Sequence, residues 1–432
     1  MKIIKLSDKL HVTGTMSQEE FSDLNESCYK LIINNRVDGE KDYNLDTATE
    51  SACCDNAGVA YMYMPVDWCT LSWEDIFNFN QAVKNSEGIT LAHCRTATRS
   101  ASLWLLGEIL EGRLSEENLI EFGNTIDIDT SKALKWFRTN SLSNNKPEVE
   151  VFYESKSGSL QYLVIDPTTK RCAIIDPVLD FERNSATTST IQADKILSRI
   201  EQRKLNLSWV LDTHPHADHF SAASYLKKRT GVKIGIGKRV EKVQNLWKGI
   251  YNISNFRKPS EIWDHLFDDN ENFYIGNLKV NVLFSPGHTL ASVTYCIGDA
   301  AFIHDTLFMP DSGTARADFP GGSSSDLWNS ICSILSLPDN TRLFTGHDYM
   351  PRGRELQFES TVLEQKLKNI HLHEFSEKTF VSIRDQRDKT LPLPNLMLTA
   401  LQININGGEL PPPESDGNSY LKIPLNKFKF VN

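Results

Sequence analysis

The segment Thr213-His214-Pro215-His216-Ala217-Asp218-His219 determines how the second half of this 432-residue chain is interpreted. It follows the apolar strand pattern LSWVL (207–211) and precedes the helical pattern SAASYLKKRT (221–230), so it forms a strand-to-helix loop. Imidazole and carboxylate groups are the ligands that divalent zinc and iron prefer in proteins. Four such groups within one short loop predict a metal site, and the alternative is a polar loop whose histidines cap the helix.

Three further candidate ligands follow apolar strand patterns later in the chain. His288 comes after Ser-Pro-Gly at the end of LKVNVLF (278–284), Asp305 ends AAFIH, and His347 ends TRLFTG. A single histidine or aspartate at a strand end is more often a turn residue. Together with the loop, however, they form an ordered set of seven ligands, which we expect to converge on one edge of a sheet.

The remaining patterns of this half predict its architecture. SLQYLVID and RCAIIDPV flank the turn PTTK and predict a hairpin, and further strands alternate with helical segments. This order favours a two-sheet sandwich covered by helices on its outer faces, an αββα arrangement. From about residue 391 the chain is rich in proline and glycine, which predicts extended surface structure with a strand or two.

The polar segment SLSNNKPEVE (141–150) contains a proline and separates this half from a βαβα pattern. We therefore predict two domains, 1–145 and 146–432, of which the first is an α/β domain with a parallel sheet. Its buried strands are predicted at 31–36, 58–66 and 88–94, and its helices are predicted to begin at Ser17, Ser72 and Arg99.

The loop His93-Cys94-Arg95-Thr96-Ala97-Thr98-Arg99 connects the third of these strands to a helix. Backbone N–H groups at a helix N-terminus hold anions and stabilise a thiolate. This position predicts that Cys94 is a catalytic nucleophile, that Arg99 holds an oxyanion, and that Arg95 contacts the substrate. A buried inert cysteine is the alternative. Ala97 would be strained if the loop requires a positive φ there.

Composition restricts the partners and the compartment. The chain has 46 basic and 56 acidic side chains, a formal net charge of −10, and therefore no cationic field for nucleic acid or an anionic membrane. It has neither a secretory signal pattern nor an 18-residue apolar run. Its eight cysteines form no C-x-x-C pair, so we expect reduced thiols and a cytoplasmic protein. A homo-oligomer is left open.

H-x-H-x-D-H, then S-P-G-H-T, an aspartate ending a strand and G-H-D-Y resemble the metallo-β-lactamase fold superfamily over about 150–430. HDTLF (304–308), GTARADF (313–319) and GHDY (346–349) are similar to its persulfide dioxygenase branch, and especially to the fused β-lactamase hydrolase-like proteins. The segment from about 5 to 115 looks like their phosphatase-like domain. The four residues between Cys94 and Arg99 match rhodanese sulfurtransferase loops more closely than phosphatase loops.

This resemblance implies one Fe(II) per chain, held by His214, His288 and Asp305, at which O2 oxidises glutathione persulfide to sulfite in hydrogen sulfide detoxification. The groups that would orient these ligands are His216, Asp218, His219 and His347. Cys94 would move sulfane sulfur to or from this reaction.

Arg316 and Tyr349 are the candidate substrate contacts, because a guanidinium suits the carboxylates of glutathione persulfide and a phenol can donate to a bound sulfur. The alternative for Arg316 is an ion pair with Asp318.

The alternative activity is that of a dinuclear Zn2+ hydrolase similar to glyoxalase II. It would use all seven positions, cleave thioesters or lactones, and have a phosphatase-like or non-catalytic binding domain in front.

Overall fold

The computed structural model describes residues 2–40, 45–140, 146–253, 256–372 and 376–428. The chain divides into two compact units, Met1–Ser143 and Asn144–Asn432. The predicted boundary near residue 145 and the first half of the predicted linker lie outside the described residues, so that boundary stays a prediction. None of the described helices is long and apolar enough to cross a membrane.

The first unit contains a five-stranded sheet in the order β1-β2-β5-β3-β4, in which only the β1–β2 pair is antiparallel. The strands are β1 (Ile3–Lys5), β2 (Leu10–Thr13), β3 (Tyr29–Asn34), β4 (Ala60–Tyr63) and β5 (Ile89–His93). The helices are α1 (Gln18–Ser22), α2 (Thr47–Ala57), α3 (Trp73–Asn85), α4 (Thr98–Leu110), α5 (Glu116–Thr125) and α6 (Ser131–Thr139), with a 3-10 turn at Asp23–Glu26.

Two of the three predicted strands are buried, and one is not. β3 and β5 lie inside the sheet, whereas β4 is an edge strand whose Met62 and Tyr63 are exposed. The prediction of a buried strand over 58–66 was therefore wrong, because an edge strand is covered by fewer neighbours than its apolar sequence suggests. The helix predicted from Ser72 is confirmed. The Ser72 hydroxyl accepts from the Asp75 N–H at 3.3 Å, and the Asp75 carboxylate accepts from the Ser72 N–H at 2.9 Å.

The second unit contains two six-stranded sheets, ordered β14-β13-β11-β8-β7-β6 and β15-β16-β17-β18-β19-β20, and a small sheet β10-β9-β12. The strands are β6 (Glu148–Glu154), β7 (Ser159–Ile165), β8 (Arg171–Ile175), β9 (Val178–Glu182), β10 (Thr187–Ser189), β11 (Asn206–Leu211), β12 (Phe220–Ser221), β13 (Lys233–Gly237), β14 (His265–Phe267), β15 (Asn272–Ile275), β16 (Leu278–Phe284), β17 (Val293–Ile297), β18 (Ala300–His304), β19 (Arg342–Thr345) and β20 (Glu359–Thr361). The helices are α7 (Ile191–Arg203), α8 (Ala223–Thr230), α9 (Val240–Tyr251), α10 (Pro259–Ile262), α11 (Ser324–Leu335), α12 (Val362–Lys368), α13 (Glu377–Asp388) and α14 (Met397–Asn404), with a 3-10 turn at Pro351–Gly353.

Aromatic side chains join the two large sheets. Tyr162 of β7 packs edge-on against Phe302 of β18 and Phe344 of β19, with ring centroids 5.3 and 5.5 Å apart. At the other end, Phe267 of β14 stacks on Phe273 of β15 at 4.5 Å. Because helices cover the outer faces of both sheets, the predicted αββα sandwich is confirmed, as is the hairpin of β7 and β8.

The end of the chain agrees with the prediction only in part. Residues 409–428 are mostly exposed and form neither helix nor strand, as extended surface structure requires. The described residues after 391 contain no strand, however, and helix α14 forms within this segment. Its Met397, Leu401 and Ile403 are almost completely buried and join the core under the first large sheet. The proline and glycine residues around α14 favoured a prediction of extended structure. The helix forms because it buries its apolar side chains in the core.

Candidate active site

The strand ends bring all seven predicted ligands of the second unit to one edge of the sandwich. The loop after β11 carries four of them, and the turn after β16 carries His288. Asp305 and His347 follow β18 and β19, which are parallel neighbours, so their carboxyl ends lie side by side. The six side chains other than Asp218 are at least nine-tenths buried.

Three of these side chains could hold one cation. One ligand atom from each of His214, His288 and Asp305 lies within 4.8 Å of the others. The ring of His288 is oriented by its Nδ1, which donates to the Arg316 carbonyl at 2.8 Å, so its Nε2 is free to face Asp305 Oδ2 at 3.6 Å. Among the described residues, His214 Nε2 and Asp305 Oδ1 have no hydrogen-bond partner. Unpartnered buried lone pairs are costly, and a metal ion would satisfy them.

A second group lies beside the first and consists of His216, Asp218 and His219, again within 4.8 Å. His347 lies between the two groups, with its Nε2 3.4 Å from Asp305 Oδ2 and 3.5 Å from Asp218 Oδ2. A second ion could be held here, so the chain contains the donors for either one or two metals.

Sequence reasoning missed Asp176, which follows strand β8. Its carboxylate accepts from the Thr213 N–H at 2.7 Å and from the Thr213 hydroxyl at 2.8 Å, and its Oδ1 lies 3.0 Å from His216 Nε2. The rule that polar residues at strand ends converge would have found Asp176. It fixes the loop that carries His214 and gives His216 a carboxylate partner.

Charge within this cluster is balanced between carboxylates and imidazoles. Burial alone raises the pKa of Asp305, but His347 and His288 outweigh it and lower that pKa to about 2. Burial and the neighbouring imidazoles lower the pKa of His214 well below its usual value. Burial also lowers the pKa of His288, more than Asp305 raises it. Two neutral imidazoles and one ionised carboxylate are a suitable donor set for a divalent cation.

Gly346 allows Asp305 to occupy this position. A Cβ atom at Gly346 would lie 2.5 Å from Asp305 Oδ1 and 3.2 Å from the backbone carbon of His304. We expect Gly346→Ala to displace the carboxylate and weaken metal binding by about tenfold or more. Titration of the metal-to-protein ratio measures this. Gly249→Ala, where nothing lies within 4 Å of the added methyl group, should bind metal normally, and equal binding by both variants would contradict the prediction.

A cavity of about 520 Å³ opens over the cluster. Asp305, His288 and His347 contribute to its lining, which also includes apolar groups such as Phe308 and Phe319. Tyr349, a predicted substrate contact, also lines it and is 62% exposed, with its ring stacked on that of His347 at 6.0 Å.

Arg316 lines the cavity but is already paired. Its Nε and Nη2 donate to the two carboxylate oxygens of Asp318 at 2.6 and 2.8 Å, and its Nη1 donates to the Pro392 carbonyl at 2.7 Å. The alternative that the sequence left open, an ion pair with Asp318, is therefore present. Two further cavity arginines, Arg384 and Arg387 of α13, were not predicted.

The first unit places Cys94 directly after β5, the central strand of its sheet, where it is 1% exposed. Arg99 is close to this thiol. Although burial lowers the pKa of Arg99, the ion pair with Glu40 and the Cys94 sulfur raise it overall. Arg99 donates to the two Glu40 oxygens at 2.5 and 2.8 Å and to the Val66 carbonyl at 3.2 Å. Sequence reasoning missed Glu40. Its carboxylate accepts from the two Arg99 nitrogens, Nη1 and Nη2, that were expected to hold an oxyanion.

Two neighbours of Cys94 differ in placement. Arg95 is exposed. His93 is fully buried and points to Glu50, whose carboxylate lies 3.2 Å from His93 Nε2 and accepts from the Tyr61 hydroxyl at 2.7 Å. The structure therefore brings Cys94 and Arg99 together, whereas His93 belongs to a buried polar network.

Ala97 caps helix α4 with a φ of +66°, the conformation that strains a residue with a Cβ atom. The strain is about 1–2 kcal/mol, and the extra chain entropy of glycine costs about 0.5–1 kcal/mol. The Ala97 methyl group is also buried, which contributes about 0.8 kcal/mol. These contributions nearly cancel, so we expect Ala97→Gly to change the unfolding free energy of the first unit by less than about 0.5 kcal/mol. Ala101→Gly inside α4 removes an equally buried methyl group without relieving strain and should lower that free energy by about 1–2 kcal/mol. Chemical denaturation measures both changes, and equal losses for the two variants would contradict the strain.

Comparison with known proteins identifies the family. The model described as beta-lactamase hydrolase-like protein, phosphatase-like domain, matches residues 3–111, and the model of the metallo-beta-lactamase superfamily matches residues 157–347. A beta-lactamase hydrolase-like protein of Xylella fastidiosa (strain Temecula1 / ATCC 700964) is 51% identical over 426 residues, which cover 99% of this chain and 98% of that protein. The chain belongs to the β-lactamase hydrolase-like family. Its first unit is a phosphatase-like domain, and its second has the metallo-β-lactamase fold.

Two further relatives bear the names of different activities. Glyoxylase B2 of Dictyostelium discoideum is 46% identical over 290 residues, which cover 66% of this chain and 99% of that protein. The mitochondrial persulfide dioxygenase ETHE1 of Bos taurus is 28% identical over 264 residues, which cover 60% of this chain and 89% of that protein. The resemblance to the fused β-lactamase hydrolase-like proteins is confirmed.

Proposed function

We propose that the second unit oxidises glutathione persulfide to sulfite at one Fe(II) held by His214, His288 and Asp305. Glutathione persulfide, O2 and water give glutathione, hydrogen sulfite and a proton. The terminal sulfur loses four electrons, and O2 accepts them. The observation that carries this proposal is the compact group of these three side chains, in which two buried lone pairs have no partner among the described residues. The persulfide dioxygenase relative supports it.

Iron held by three protein side chains would supply open positions for sulfur and O2 and a change of oxidation state. The chain's own residues supply the rest. The Arg316 carbonyl orients His288, and Asp176 holds Thr213 beside His214. Phe308 and Phe319 give the cavity an apolar wall that excludes water from the sulfur. In a centre with one iron, His216 would stay paired with Asp176, whose Oδ1 lies 3.0 Å from His216 Nε2.

Anaerobic purification, elemental analysis and an oxygen electrode test this function. We expect about one iron per chain and O2 consumption that depends on glutathione persulfide and produces an equal amount of sulfite. A sample with full iron occupancy that consumes no O2 would contradict the proposal.

The second candidate function is thioester or lactone hydrolysis by a dinuclear zinc site. The group of His216, Asp218 and His219 beside the first group favours it, as does the glyoxylase B2 relative. His219→Ala distinguishes the two. A single-iron site should keep about one metal per chain, whereas a dinuclear site should fall from about two to about one. Hydrolysis of a glutathione thioester by zinc-loaded protein measures the activity directly.

For the first unit, we propose that Cys94 carries sulfane sulfur. The Cys94 thiolate attacks the sulfane sulfur of thiosulfate, the S–S bond of thiosulfate breaks, and sulfite leaves with the bonding electron pair. A thiolate acceptor then takes the sulfur and regenerates Cys94. The position of Cys94 at the N-terminus of α4, close to Arg99, supports this role.

We also propose that the protein acts in the cytoplasm. All eight cysteines are free thiols, which are typical of this reducing compartment.

A further inference from the structure

Strand ends in the first unit place a second arginine, Arg36, beside the cysteine loop. Strands β2, β5 and β3 are parallel neighbours, so the residues that follow them share one edge of the sheet. Arg36 comes shortly after β3, and its side chain is only 3% exposed. Its Nη1 donates to the Thr15 hydroxyl at 2.7 Å, and that hydroxyl donates to the Arg95 carbonyl at 3.3 Å. One hydroxyl therefore connects Arg36 to the loop that carries Cys94.

The Glu40 carboxylate joins Arg36 to Arg99. Its Oε2 accepts from Arg99 Nη2 at 2.8 Å and lies 3.4 Å from Arg36 Nη2, while its Oε1 accepts from Arg99 Nη1 at 2.5 Å. Hydrogen bonds from Arg99 and the charges of Arg99 and Arg36 outweigh burial and lower the pKa of Glu40, so the carboxylate is ionised. Two guanidinium groups therefore converge on one anionic oxygen.

Arg99 lies beside both this carboxylate and the nucleophile. Burial lowers the pKa of Arg99, and Glu40 together with the Cys94 sulfur raises it overall. Helix α4 has no side-chain cap among the described residues, and its N-terminus favours negative charge next to Cys94. The Glu40 carboxylate thus takes up the two Arg99 donors that an anionic substrate of Cys94 would need.

Glu40 can leave this position, because its side chain is 24% exposed and it belongs to no helix or strand. The oxygens of a tetrahedral anion could then accept from Arg99 and Arg36 together. The attraction to two cations grows with the charge of the anion, so a dianion gains roughly twice as much as a monoanion of the same shape. A monoanion therefore displaces the resident carboxylate poorly, which gives selectivity by charge.

We propose that Arg36 and Arg99 form a binding site for a tetrahedral dianion beside Cys94, and that Glu40 occupies this site until such an anion displaces it. The site rests on the proposed transfer of sulfane sulfur by Cys94, and it assigns the donor to doubly charged oxyanions such as thiosulfate. A phosphate monoester has a similar charge and shape. Release of sulfite from thiosulfate, or of phosphate from phenyl phosphate, distinguishes these two donors.

Calorimetric titration with two unreactive anions tests the site. Sulfate is a tetrahedral dianion. Methanesulfonate has a methyl group in place of one oxygen and carries a single charge, and neither anion reacts with a thiolate. With the full-length protein carrying its metal, we expect sulfate to bind at least about tenfold more tightly than methanesulfonate. Glu40→Gln should strengthen sulfate binding by about tenfold, because a neutral amide competes less well for the two guanidinium groups.

Replacement of Arg36 tests its part in the site. Arg36→Gln should weaken sulfate binding by about tenfold and methanesulfonate binding by less, so the preference for sulfate should fall. Because Arg36 is buried, Thr15→Val provides a second variant, which keeps the charge but removes the hydroxyl that orients Arg36. It should weaken sulfate binding by about threefold. Arg113→Gln is the matched control, since Arg113 is an exposed arginine of the same unit that pairs with Glu108 and Glu111.

The control variant should bind both anions as the native protein does. No sulfate binding by either the native protein or Glu40→Gln would overturn the site. Unchanged or weaker sulfate binding by Glu40→Gln, or equal losses of the two anions in Arg36→Gln, would also overturn it. The two proposals fail separately. Selective sulfate binding without sulfite release from thiosulfate would refute the sulfur transfer and keep the site, whereas sulfite release without selective binding would do the reverse.

Discussion

Replacement of Asp305 by alanine is expected to empty the metal site and to abolish O2 consumption with glutathione persulfide. Asp305 is the ionised carboxylate of the group that also contains His214 and His288, and its pKa of about 2 means that it is charged at every physiological pH. Without it, two neutral imidazoles alone would face a divalent cation in a buried place, where uncompensated charge is costly. We expect metal binding to weaken by more than about a hundredfold.

Elemental analysis after dialysis and an oxygen electrode measure this change. Asp326→Ala is the control, since Asp326 is an exposed aspartate of the same unit. It should keep both its metal and its activity. If Asp305→Ala retained a full metal complement, Asp305 would not be a ligand, and the proposed arrangement of the centre would be wrong.

Replacement of Cys94 by serine is expected to abolish the transfer of sulfane sulfur from thiosulfate to a thiol acceptor. A serine hydroxyl is not ionised near neutral pH and cannot hold sulfane sulfur in a persulfide bond. The loss should reach the background of the uncatalysed exchange. Release of sulfite from thiosulfate, and mass spectrometry of the Cys94 peptide for the added sulfur atom, measure it.

Cys69→Ser provides the control for Cys94→Ser, because Cys69 is an exposed free thiol of the same unit. This variant should retain the exchange. If Cys94→Ser kept every turnover rate, the first unit would be a binding module for sulfur species or for a protein partner.

Replacement of Glu40 tests the role of Arg99 in the same reaction. The Glu40 carboxylate accepts hydrogen bonds from Arg99 Nη1 and Nη2, which would otherwise be free to bind an anion. Glu40→Gln should weaken this contact and increase the rate at which Cys94 reacts with thiosulfate, measured as release of sulfite.

The seven candidate ligands could be predicted because their signal is local. Each of His288, Asp305 and His347 follows an apolar strand, and strands that run in the same direction within one sheet end at the same edge. Asp176 obeys the same rule and was missed only because it follows a hairpin strand rather than a histidine motif. The helix cap at Ser72 was likewise predictable, since a capping box involves residues only three positions apart.

Contacts between distant segments were not predictable in this way. Arg387 approaches His371 across 16 residues, and Arg99 approaches Glu40 across 59. The sequence pattern of α14 includes apolar side chains, but its conformation depends on a core built from segments far away in the chain. Whether β4 is covered or exposed likewise depends on its place at the sheet edge, not on its own residues.

The sequence by itself determined the αββα class of the second unit, the set of donors that gather at its edge, and the cysteine loop at the start of a helix. These follow from strand and helix patterns and from turns, which involve neighbouring residues. The tertiary structure alone decided that Asp176 holds the loop that carries His214, that Arg316 is paired with Asp318 and not free for substrate, and that Glu40 pairs with Arg99. Those outcomes depend on distances and burial, because an ionic group's energy is determined by the groups packed around it.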